Sequence, residues 1–179
     1  MHAPSPISSP PDHRTRPPAP WERLLDVVRV DFPSEARRPA APRLVLASVL
    51  AVVGSLAADA ALVAVGTRVF PGTKGYVHFQ FSDYARLTVI GVVIACAAWP
   101  VVTRISSSPR WLFLRQAVAV TLVLWLPDVW ILSKGQPAEA VAVLMVMHLA
   151  IAVVTYNLLV RLAPPRAVPL PPPGSPPPG

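Results

Sequence analysis

Charge is scarce in this sequence. Only 14% of its 179 residues are charged, against about 25% in a soluble domain, and nine of them are Asp or Glu. Lysine is rarer still: Lys74 and Lys134 stand beside 14 arginines, a bias that fits a GC-rich bacterial genome. The single Cys96 lies inside an apolar run. It excludes a disulfide framework or a CxxC site and reads as a small buried hydrophobe. No HExxH, phosphate-binding glycine loop, Cys–His cluster or nucleophile elbow occurs, so neither catalysis nor a cofactor is expected. No apolar run begins near Met1, so a cleaved signal peptide is not expected either.

What fills the chain instead is apolar. Hydrophobic residues make up 53%, and the mean hydropathy is +0.50. Proline is almost confined to the two ends: of 24, ten precede residue 43 and nine follow residue 163. Such stretches hold neither helix nor sheet, so residues 1–19 and 163–179 are expected to be solvated, disordered tails. Between them lies an apolar middle. In the second tail Arg166, Pro169 and Pro172 have the spacing of a polyproline ligand, but among so many prolines a plain spacer is the better reading.

The run from Ala140 to Val160 organises the reading. It has no formal charge and is bounded by Glu139 and Arg161. As a helix it is ~31 Å long, the thickness of a bilayer's hydrocarbon core. His148 sits near its middle. Three further spans are expected over residues 44–66, 84–102 and 111–132, with the fourth over 139–161. The first carries Asp59, whose cost of about +2.5 to +3.5 kcal/mol is outweighed by about −3 to −7 from its Leu and Val residues. Ser82 or Asp83 is available to cap the second span, and Gly91 with Ala95 would allow a close helix approach. The third is the least apolar. It spans if Arg115 snorkels one way and Asp128 faces the bundle or the opposite interface. The fold class is therefore an all-α membrane protein, a four-helix transmembrane bundle with lipid bilayer as its first partner.

Ahead of the spans, Trp21, Leu24, Leu25, Val28 and Phe32 fall on one helical face, and charged residues fill the other. Residues 20–32 thus form an amphipathic helix, and 33–43 a linker. The helix either docks on the protein's own membrane domain or lies on lipid.

Arginines set the orientation. With four spans the two tails share a side, which carries 12 of the 16 basic residues; Arg68, Lys74, Arg86 and Lys134 are on the other. Both termini are expected in the cytoplasm of a bacterial plasma membrane. The same placement accounts for the net charge of +7, so no nucleic-acid partner is expected. Trp99 and Trp111 fit the inner interface, Tyr84 and Trp130 the outer.

Four residues form the candidate intramembrane polar site: Asp59, His148, Asp128 and Arg86. The depths of Asp59 and His148 differ by only ~3 Å at helical rise, which suggests one pair. Arg86 and Asp128, nearer the outer surface, suggest a second. Such groups mark proton or cation pathways, or serve as polar glue between helices. Glue is the favoured reading, because no second carboxylate is expected at the depth of Asp59. The aromatic loop 67–83 is expected to settle at the interface rather than act as a lid.

The four compact spans, with Leu144, Met145, Val146, Met147, His148, Leu149 and Ala150 in the last, resemble a family of uncharacterised four-span inner-membrane proteins of high-GC bacteria. The resemblance covers residues 44–162. It implies an inner-membrane location and carries no activity with it. Two roles are expected from all this: a non-catalytic structural or accessory protein, associating with another membrane protein or as a homodimer, or a small proton-linked transporter using Asp59 and His148.

Overall fold

The computed structural model describes Trp21, Leu25, Val27, Val30, Asp31 and residues 37–167. The expected tail 1–19 and residues 168–179 of the second tail lie outside these. Four long helices follow in order: α1 (Ala41–Val69), α2 (Phe81–Ile105), α3 (Pro109–Ser133) and α4 (Ala138–Leu162). Each is long and apolar enough to cross a membrane. All four outrun the expected spans by one to three residues at each end, because polar end residues continue the backbone helix beyond the apolar window. Gln80, rather than Ser82 or Asp83, is the N-cap of α2.

Short connections make neighbours antiparallel. α3 ends in a Schellman turn: Gly135 (φ 85°) lets its own N–H reach Leu132 O and the Gln136 N–H reach Ile131 O. The longer α1–α2 connection is wound into two 3₁₀ turns, Pro71–Thr73 and Val77–Phe79. The bundle thus has a loop end, bearing residues 70–80, and a terminal end, where the chain enters and leaves.

α4 touches the other three helices and packs most widely against α1. The buried ridge of α1 is Ala47, Ala51, Ser55 and Asp59, spaced four residues apart, then Gly66. Its bulky Val45, Leu46, Val49 and Val53 are exposed. A water-soluble helix would be arranged the other way round. In lipid the bulky residues gain nothing by turning inward, while small ones let backbones approach closely. At Gly66 the approach leaves no room for a methyl group: an added Cβ would sit 2.9 Å from Val143 Cγ2. Gly91 is not such a position. It is exposed, and nothing lies within 4 Å of its missing Cβ.

Two cores result. At the terminal end Trp99, Val102 and Leu159 are fully buried with Ala47, Ala51, Leu112 and Phe113. Trp99 is therefore a core residue and no interfacial anchor; its indole N–H donates to Ala163 O at 2.8 Å. Tyr84 is likewise buried, in the loop-end core with Phe79, Ala140, Val143 and Met147. Trp111 and Trp130 are exposed, each beside a cation, Arg115 and Lys134.

Several described residues before α1 contact the bundle. Trp21, Leu25 and Val27 are helical, and Val30 packs on the terminal-end core. Asp31 N–H donates to Ile105 O, and Ser107 N–H donates to the Asp31 carboxylate at 2.7 Å. Arg115 donates to Val27 O, so its guanidinium meets protein at the terminal end. A two-residue antiparallel pairing, Arg37↔Ala167 and Arg38↔Arg166, then ties the entering and leaving chain together. The sequence gives no hint of this clasp.

Candidate intramembrane polar site

Each helix contributes one polar group to the loop-side half of the bundle. From α1 comes Asp59, completely buried. Its Oδ2 accepts a 2.6 Å hydrogen bond from Thr88 Oγ1 of α2, whereas its Oδ1 is buried with no hydrogen-bond partner among the described residues. From α3 and α4 come Asp128 and His148, joined Oδ2 to Nδ1 at 3.0 Å. Asp128 is buried and His148 is one-quarter exposed. An ionised carboxylate can only accept, so against it Nδ1 is the donor and Nε2 is the ring nitrogen left over.

The expected pairings are thus rearranged. Gly54 lies against Val154 and Gly66 against Val143, a register that sets Asp59 level with His148. No hydrogen bond joins the two: Asp59 bonds to Thr88 and His148 to Asp128. Arg86 is exposed on α2, and no ion pair to Asp128 forms. The reason lies in the direction of side chains. Helical side chains lean toward their own N-terminus. Asp59 on α1 and Asp128 on α3 lean toward the terminal end; His148 on the antiparallel α4 leans toward the loop end. His148 therefore leans away from the level acid and toward the higher one.

Three further contacts were not among the expected residues. Trp125, three positions before Asp128, donates its indole N–H to Met145 O at 3.1 Å and closes the same α3–α4 seam. Ser55 and Thr155 meet at 3.5 Å across α1 and α4. Above the cluster, Tyr76 stands edge-on to His78 and Phe79, its hydroxyl buried without a hydrogen-bond partner among the described residues. Burial, then the charge of Asp128, push the Tyr76 phenol above its usual pKa, so it remains a proton donor. His78 and Asp83, joined at 2.8 Å and nearly half exposed, link this loop to the aqueous phase. The loop is a cover over the cluster: Phe79 is part of the core, not an interfacial anchor. Spacing could have flagged only the His78–Asp83 pair. Among the described residues no three His, Cys, Asp or Glu side chains gather in a way that could hold a metal ion.

A second feature lies on the lipid side. α3 and α4 bound an open groove of about 370 Å³, lined mainly by apolar side chains such as Leu114, Leu122 and Val153, with Thr121 and Asn157 as its polar members.

Four apolar helices, bulky outside and small or polar within, define a multi-pass membrane protein with a helical-bundle fold. Over residues 35–165 the chain matches a family of unknown function, DUF6069, and it belongs to that family. The match takes in all four helices and omits the segment around Trp21. No curated protein and no solved structure matches the chain.

Proposed function

We propose that the chain is a non-catalytic accessory protein of a bacterial plasma membrane, with both termini cytoplasmic, that works by associating with another membrane protein or with a second copy of itself. The groove between α3 and α4 carries this reading. α3 buries the smallest share of its apolar span within the chain, and the open groove it forms with α4 is lined mainly by apolar side chains that a partner helix would cover. The 12-to-4 distribution of basic residues supports the orientation.

Photo-crosslinking residues at Val118 and Val153, introduced into the full chain in its native membrane, test the role. Protein adducts of defined mass are expected, and adducts to lipid alone would contradict it. A proton-linked transporter using Asp59 and His148 is the second reading, favoured by the partnerless Asp59 Oδ1. Against it stands the terminal-end core of Trp99, Leu112, Phe113 and Leu159, whose apolar side chains fill that half of the bundle.

A further inference from the structure

The polar cluster lies away from the groove that supports association and calls for a role of its own. His148 Nδ1 is committed to Asp128, which leaves Nε2 as the ring's only basic atom. Asp128 holds this ring by a hydrogen bond, and Asp59 of α1 stands level with it. One hydrogen-bonded carboxylate balances the charge of an imidazolium in a low-dielectric bundle. The second, independent observation is Asp59 itself, which is fully buried while its Oδ1 finds no donor among the described residues.

Toward the loop end the groups near His148 and its acids are Tyr76 and His78 of the loop and Asp83, Tyr84 and Thr88 of α2. Trp125 closes the α3 side, with its indole on Met145 O. Toward the terminal end the next contact is Ser55 with Thr155, and then the apolar core begins.

We propose that this cluster is a proton-binding site open to the aqueous phase at the loop end, in which His148 Nε2 takes one proton and the imidazolium is held between Asp128 and Asp59. The step balances simply. Hydronium from the loop-side phase becomes water, Nε2 gains the proton, and the Nδ1–H bond to Asp128 is kept as a charge-assisted one.

The test uses the full chain reconstituted in liposomes, with His2, His13 and His78 replaced so that His148 is the sole histidine, labelled with ¹⁵N. All three replaced positions lie outside the four helices. Lowering the pH of the loop-side phase from 8 to 5 should move the Nε2 resonance to the imidazolium position, while lowering the terminal-side pH alone should not. In the Asp128→Asn variant of the same protein, at least tenfold more acid should be needed, since an adjacent opposite charge favours the protonated ring by that order. Asp59→Asn should act in the same direction with a smaller effect, which keeps the test intact if one variant fails to fold. A ring that stays neutral at pH 5, a response to terminal-side acid only, or titrations unmoved in both variants would overturn the proposal.

Discussion

Trp99 and Ala163 lie 64 positions apart in sequence and are joined by a 2.8 Å hydrogen bond from indole to carbonyl. The bond closes the terminal end of the bundle, because Ala163 is the C-cap residue of α4 and both residues are fully buried. Trp99 also contacts Phe113 with ring centroids 5.0 Å apart, and Phe113 stacks on Tyr156. One side chain of α2 thereby joins α3 and α4.

Replacing Trp99 should separate these contributions. Trp99→Phe keeps most of the ring and strands the Ala163 carbonyl, a loss of about 1–3 kcal/mol. Trp99→Ala adds a cavity and should cost about 3–5 kcal/mol. Unfolding in mixed detergent measures both; equal losses would show that the hydrogen bond contributes nothing.

The glycines make opposite predictions. Gly66→Ala drives a methyl group to 2.9 Å from Val143 Cγ2 and should destabilise by about 1–3 kcal/mol. Gly91→Ala meets open space in mid-helix and should be neutral or stabilising by up to about 1 kcal/mol. Thermal melts of the two variants decide. Greater damage from Gly91→Ala would restore the close approach that its spacing with Ala95 suggests.

Much of the architecture was legible because a bilayer simplifies the code. Length, hydropathy and arginine placement define four spans, and the structure has four helices around those windows. Pairing was not legible, for reasons visible in His148. Depth along an axis follows from counting residues, but azimuth and lean do not, and these bring His148 to Asp128 rather than to the acid at its own level. Gly91 failed for the same reason: small-residue spacing marks a stripe without saying which way it faces. The Arg37–Arg38 clasp is two residues long and leaves no periodicity to read. Ahead of the spans, the described Val30 and Asp31 contact protein at the terminal end, which spacing alone did not decide.

The clasp predicts a sharp boundary in truncation. Ending the chain after Ala167 should leave amide exchange at Arg37 and Arg38 unchanged. Ending it after Pro165 removes the paired strand and should raise exchange there severalfold, with little effect on melting of the helices. Hydrogen–deuterium exchange with mass spectrometry reads this, and equal exchange in both truncations would show that the pairing adds no protection.

The central claim is that His148 is held by Asp128 and only influenced by Asp59, and paired double-mutant cycles test it most directly. Asp128→Asn with His148→Leu removes a hydrogen-bonded pair; Asp59→Asn with His148→Leu removes only a longer-range interaction. Stability of the full chain in mixed detergent should show a coupling of about 0.6–2 kcal/mol for the first cycle and a smaller one for the second. Strict additivity in the Asp128 cycle, or a larger coupling in the Asp59 cycle, would contradict the assignment.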